Sequence, residues 1–388
     1  MPDRHHVSIH STFPNSLQRE IVRQICRQRH KHQVCVGPFR RFGFSGASLL
    51  LAYFSARQAG LPFLIKISKF AEAEEELSAV RSLRHLVTDC NVEEDRVFKG
   101  VSSDRDGRKE LWGALLYSNK GAQSSDGADE PLALREVLYK DDHLSATELR
   151  ETVAQVFRSL DNAHRDAQTI NVTLRKHYKK YLRQDRSTSR IERILGALSQ
   201  KTQFQFLGTR VYNPLRLLDE LPQLVRVRNA RVHGDLHPDN VIIGPNKMPH
   251  LIDFAWAKPR RDVLVDYVLL ENSVRFMSFP EGTDLREQLT VDRWLLDEEG
   301  WKMVLGKSFR TTPLGVAYVR MAAAVGVIRE QARRCLGGRF SIERYLLTQF
   351  IVLYGLMAYK EYTPHVAARA LGMIADRLHR TGFDFCDE

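Results

Sequence analysis

The chain has 388 residues, 43% of them hydrophobic and 27% charged, with a net charge of +11 and a pI near 9.5. That length supports a large core in one two-lobed domain or two domains, and the balance fits a soluble globular protein. Five scattered cysteines without a CxxC pair indicate neither a disulfide framework nor a cysteine zinc site, and fit a reducing cytoplasm. The surplus of positive charge favours anionic partners: nucleotides, nucleic acid, acidic proteins or lipid heads. The N-terminus has no apolar core of the signal-peptide kind, and no apolar run is long enough for a membrane span.

In chain order, residues 1–14 read as an irregular tail. From Asn15 a helix is expected, with Leu17, Ile21 and Ile25 on one face and Arg19, Arg23, Arg27 and Arg29 around the rest. It is either a helix packed on the first lobe or a basic arm for an acidic partner. Two β-prone runs within residues 33–54 flank Gly43-Phe44-Ser45-Gly46, the pattern of a strand, a tight turn and a returning strand. Gly43, Ser45 and Gly46 could bring backbone N–H groups close to phosphates, since glycine carries no Cβ; an ordinary hairpin would look the same. Residues 62–67 form a third strand, with Lys66 among apolar neighbours. Of the four glutamates that follow, Glu76 has Val80 and Leu83 at i+4 and i+7, so it turns inward, whereas Glu72, Glu74 and Glu75 read as solvated.

Residues 95–117 supply two more strands, the second ending in Leu115-Leu116-Tyr117. Residues 118–131 are polar and turn-rich. A helix is expected over 147–167. Residues 168–230 form an insert whose segment 175–193, Arg175 to Arg193, holds eight basic residues against Asp185 and Glu192, a surplus of +6. It is either a solvated helical face or a contact for an acidic substrate or nucleic acid, with Tyr178 and Tyr181 either stacking on bases or packing. Past Phe276 the pattern is helical.

The most informative stretch is residues 231–257. It holds His233-Gly234-Asp235, Asn240 five residues after Asp235, and Asp253 thirteen residues further. Two short apolar strands joined by Gly244-Pro245-Asn246 would carry Asn240 at the entry of one and Asp253 at the exit of the other. An Asp beside an attacking hydroxyl, with an amide and a second carboxylate holding Mg²⁺ on phosphates, is the working set of a kinase.

The wording HGDLHPDN resembles the aminoglycoside phosphotransferase and choline kinase branch of the protein-kinase-like fold. GFSGA and the run 262–271 resemble one sub-branch more closely, the phosphotransferase-like "ternary complex associated" domains of bacterial effector and conflict systems. The resemblance implies an α+β, bilobal fold with a small antiparallel N-lobe sheet plus a helix, and a large, mostly helical C-lobe. The expected division is 1–30 for tail and basic helix, 31–117 for the nucleotide-binding N-lobe, and 118–388 for the C-lobe.

It further implies ATP (or GTP) with Mg²⁺ as cofactors. Asp235 would act as base, and His237, where protein kinases carry a lysine, would contact the transferring phosphate. Asn240 and Asp253 would bind metal, Lys66 would position the phosphates and Glu76 would hold Lys66. The Leu115–Tyr117 backbone would read adenine as the hinge. Arg41 stands where a Gly-x-Gly-x-x-Gly pattern would have its first glycine. The reading is a phosphotransferase moving the γ-phosphoryl group to a hydroxyl, on a macromolecule such as an acidic protein or RNA. The alternatives are a small-molecule kinase, a nucleotidyl transferase (AMPylation) and a non-catalytic nucleotide-binding module.

Overall fold

The computed structural model describes residues 8–10, 15–42, 47–54, 63–84, 86–87, 92–93, 95–103, 108–118, 131–139, 144–182, 185–244, 246–277, 283–297, 299–306 and 313–383. The chain has an α+β fold. It divides into two compact units, one of Met1–Leu132 with Asp239–Ala257, the other of Ala133–Pro238 with Lys258–Glu388.

The first unit is a sheet with a helix on each side. Its strands are β1 (Ser8–His10), β2 (Gln33–Phe42), β3 (Ser48–Tyr53), β4 (Phe63–Lys69), β5 (Phe98–Ser103) and β6 (Lys109–Ser118), in the order β1-β2-β3-β4-β6-β5. Neighbours are antiparallel except β1 and β2. Helix α1 (Ser16–Gln28) starts at Asn15, whose side chain accepts from the Gln18 N–H while Gln18 reaches back to the Asn15 N–H. Its apolar stripe Ile21, Val22, Ile25 and Cys26 is buried with Val34, Val36, Ile65, Ile67, Phe98 and Leu116. So α1 is a packed helix, not a free arm. The approach is close: a Cβ at Gly100 would lie 2.5 Å from Leu17 and 2.9 Å from Ile21. Arg29, just past α1, lies over the rings of Phe54 and Phe63.

Strand alternation decides the other face. With Ile65 and Ile67 turned to α1, Lys66 turns away, toward α2 (Phe70–Leu83), which buries Ala73, Glu76, Leu77, Val80 and Leu83. The division by contacts places the hairpin within residues 239–257 with this unit. Helix α2 packs on the turn Phe254–Trp256, and Asp253 is bonded to Lys66.

The second unit is mostly helical. A short β7 (Leu132–Ala133) at the boundary leads into α3 (Leu134–Val137) and α4 (Ala146–Arg165). Then follow β8 (Gln168–Thr173), the single turns α5 (Leu174–His177) and α6 (Lys179–Leu182), α7 (Asp185–Leu195), the hairpin β9 (Gln203–Phe206) and β10 (Thr209–Tyr212), α8 (Pro214–Glu220) and β11 (Leu224–Val232). The insert is therefore not purely helical. β8 and β11 join β14 (Lys258–Asp262) in an antiparallel sheet of order β14-β11-β8. The helices α9 (Leu264–Phe276), α10 (Leu285–Leu296), α11 (Trp301–Gly306), α12 (Pro313–Leu336), α13 (Ile342–Leu356) and α14 (Pro364–Thr381) complete the unit. Among these, α9 packs against both α12 and α13, and Val268, Phe276, Ile328, Phe350 and Leu353 on them are buried.

Candidate active site

The residues expected to do chemistry are divided between the units. In the first, Lys66 on β4 is 5% exposed and Glu76 on α2 is 1% exposed. Lys66 Nζ lies 2.7 Å from Glu76 Oε2 and 2.7 Å from Asp253 Oδ2. Glu72, Glu74 and Glu75 are exposed. Burial works against the charge on Lys66, but the two carboxylates outweigh it and hold the ammonium above its ordinary range. Burial pushes the Glu76 carboxyl up, Lys66 opposes this, and the nearby Asp253 adds to the rise. Two carboxylates share one ammonium, so the cluster carries a surplus negative charge.

The hairpin places Asn240 next to that cluster. Strands β12 (Val241–Ile243) and β13 (Pro249–Leu251) pair antiparallel with Val241 opposite Leu251. The Ile252 N–H donates to the Asn240 carbonyl at 3.1 Å, so Asn240 sits opposite the residue before Asp253. Asp253 itself has φ 65° and ψ 64°, the left-handed region that a non-glycine residue enters at a cost. Its backbone is held there by a long contact from its N–H to the Tyr117 hydroxyl, 3.4 Å.

Tyr117 has a use the sequence did not reveal. Its hydroxyl donates to Glu76 Oε1, on the carboxylate whose other oxygen holds Lys66. The Glu93 N–H donates to the Leu116 carbonyl at 2.8 Å. Carbonyl direction alternates along a strand, so Leu115 and Tyr117 turn their backbones to β4, opposite Lys66 and Leu64. The backbone expected to read adenine thus lies within the sheet, and the phenol of Tyr117 ties Glu76 to Asp253. The expected phosphate turn, Gly43, Ser45 and Gly46, lies outside the described residues.

Oxygen donors from Asn240 and Asp253 beside a surplus negative charge suit Mg²⁺, which takes few protein ligands and fills its shell with water and phosphate. Among the described residues no cluster of three or more His, Cys, Asp or Glu side chains forms a metal cage.

In the second unit, β11 ends at Val232 and delivers His233-Gly234-Asp235. The loop is held from beneath by Asp266 on α9, a fully buried carboxylate. Asp266 accepts from the His233 N–H at 2.9 Å and the Gly234 N–H at 2.8 Å, and His164 Nε2 on α4 lies 3.1 Å away. Gly234 has φ 77°, the reason for glycine at this step. Asp235 is partly exposed; His237 Nε2 lies 3.8 Å from its Oδ2, and Lys180 Nζ on α6 lies 4.0 Å from its Oδ1. Neither Lys180 nor His164 carries a local signature. His164 stands 102 residues before its partner Asp266.

The insert aromatics pack rather than stack on bases. Tyr178 and Tyr181 are 2% and 4% exposed. The Tyr178 hydroxyl donates to Asp262, which also pairs with Arg344. The cations Arg175, Lys176, Lys179, Arg186 and Arg193 remain exposed.

Burial works to lower the His164 pKa, but Asp266 and Cys335 outweigh it and raise it to about 9. Burial likewise acts against Asp266, yet His164, His233 and the Gly234 N–H hold it below its ordinary range. The folded His164 pKa exceeds its unfolded value of about 6.5. Its contribution is therefore fully present below that pH and lost as pH rises toward about 9. The melting temperature is expected to decline over this interval, and His164→Gln to flatten the decline in pH-dependent thermal melts. An unchanged slope in the variant would contradict the assignment.

The α+β fold carries this loop in its second unit and the hairpin in its first. Residues 169–351 match the family model described as ternary complex associated domain 9. That model belongs to the sub-branch which GFSGA and the run 262–271 resemble. Among solved structures, a choline kinase from Cryptosporidium parvum Iowa II is 12% identical, with a TM-score of 0.44 over 95% of this chain and 98% of that one. A glucosamine kinase is 12% identical, with a TM-score of 0.42 over 89% and 80%. A spectinomycin phosphotransferase in complex with ADP and spectinomycin is 11% identical, with a TM-score of 0.31 over 76% and 93%. Comparison with curated protein sequences gives no significant match. Among the described residues no helix is long and apolar enough to cross a membrane.

Proposed function

We propose that the chain is a phosphotransferase that moves the γ-phosphoryl group of ATP, or of another nucleoside triphosphate, to a hydroxyl acceptor. The observation that carries this reading is Lys66, buried and held 2.7 Å from both Glu76 and Asp253. A lysine fixed by one carboxylate and adjoining a second, with an amide donor at the facing strand end, is suited to a metal-bound triphosphate. Lys66 would take the phosphate oxygens, and Glu76 with Tyr117 would keep its ammonium in place. Asn240 and Asp253 would hold Mg²⁺, which when bound neutralises charge on the phosphates. Asp235 would orient the acceptor hydroxyl and take its proton, with the loop fixed by Asp266. His237 would contact the transferring group.

The exposed cations of segment 175–193 favour an acidic macromolecule over a small alcohol as acceptor, as in a bacterial effector or defence setting. Buried Tyr178 and Tyr181 leave charge rather than base stacking as the means of contact. Incubation with α- and γ-labelled ATP in the presence of a lysate tests both points. Transfer of γ-label to protein or RNA supports the proposal. Transfer of α-label identifies a nucleotidyl transferase, γ-label only in small molecules identifies a small-molecule kinase, and binding without transfer identifies a non-catalytic module.

A further inference from the structure

The protein-kinase pattern supplies a lysine two residues beyond the catalytic Asp; this chain has His237 there. Lys180 nevertheless brings an ammonium to the same carboxylate. It stands 55 residues before Asp235 in the sequence, on the single turn α6, inside the basic segment. Its Nζ donates to the Gly234 carbonyl at 3.2 Å and lies 4.0 Å from Asp235 Oδ1. His237 approaches the other oxygen, Oδ2. The two groups thus flank Asp235 on opposite oxygens.

The position is built rather than incidental. The side chain of Lys180 is 19% exposed, whereas Lys176 and Lys179 nearby are exposed residues. Its neighbours anchor the turn: Tyr181 is buried, and Tyr178 donates to the buried Asp262. The Nζ lies 5.5 Å from the Tyr181 ring centroid, so the stem runs along an aromatic wall. A cation immobilised in this way costs little reorganisation when negative charge arrives.

We infer that Lys180 is a catalytic residue of the transfer, contacting the phosphoryl group that reaches Asp235 and offsetting the charge that builds on its oxygens. The segment that carries it is then part of the catalytic apparatus and not solely a docking surface. This rests on the phosphotransferase reading above. In the step, the bond from the γ-phosphorus to its bridging oxygen breaks and one from the acceptor oxygen forms. The acceptor proton passes to Asp235, and Lys180 neither gains nor loses a proton.

The test compares Lys180→Met, which keeps the stem against Tyr181, and Lys180→Arg, which keeps the charge. Binding of Mg·ADP and of Mg·ADP with aluminium fluoride, a mimic of the transferring group, is measured on the full chain. Lys180→Met is expected to bind Mg·ADP within about twofold of the natural protein but to lose about a hundredfold for the aluminium fluoride complex. Lys180→Arg is expected to recover most of that loss. Equal losses for both ligands, or no loss, overturn the inference while leaving the phosphotransferase reading intact. A natural protein that binds neither ligand overturns both.

Discussion

Asp253→Asn is expected to lower Mg²⁺-dependent nucleotide turnover by about a thousandfold or more, with folding largely preserved. The substitution keeps the shape of the side chain and tolerates the left-handed backbone at φ 65°. It removes one of the two carboxylates on Lys66 and the surplus negative charge that suits a divalent cation. Glu76 still holds the lysine, so the loss falls on metal and phosphate handling rather than on the sheet. Glu76→Gln, by contrast, loosens Lys66 and the Tyr117 contact together. Steady-state rates against Mg²⁺ concentration make the comparison. A variant whose turnover stays within tenfold at saturating Mg²⁺ removes Asp253 from the metal site.

Glu271→Ala is expected to destabilise the second unit by about 3–5 kcal/mol, because it strands two buried cations. Glu271 is fully buried on α9 and accepts from Arg275 at 3.0 Å, Arg329 at 2.7 and 3.0 Å, Tyr345 at 2.7 Å and Gln349 at 2.7 Å. Arg275 also binds Asp292, so Arg329 loses most. Burial alone would raise the Glu271 carboxyl, but Arg329 and Arg275 outweigh it and hold it at about 2. With a folded pKa below the unfolded one, its contribution is present above about pH 4.3 and lost as pH falls toward about 2. Chemical denaturation at neutral pH reads the loss directly. A change under about 1 kcal/mol would show that the network relaxes around the missing carboxylate.

How much of this could be read in advance depends on how local the cause is. Glu76 was legible because Val80 and Leu83 mark the inward face of its helix. The hairpin was legible because Gly244 and Asn246 sit between two short apolar runs, and its closure puts Asn240 and Asp253 at neighbouring strand ends. The sheet within the insert was missed, although Leu224–Val232 alternates apolar and basic residues. Its partners β8 and β14 lie far apart in sequence, and the density of charge is equally that of a solvated helical surface. Tyr178 and Tyr181 were ambiguous for the same reason: an aromatic among cations stacks or packs according to distant partners, here Asp262 and Arg344 for Tyr178. Lys180 looked like its neighbours until the fold brought it to Gly234, and the role of Tyr117 depends on a phenol reaching a helix and a hairpin at once.

The most direct measurement is titration of ATP into the full chain with and without Mg²⁺, for the natural protein and for Lys66→Ala. The account predicts binding that strengthens at least tenfold with Mg²⁺ in the natural protein and is weak in the variant under both conditions. Affinity that ignores Mg²⁺, or that survives the loss of Lys66, would contradict it.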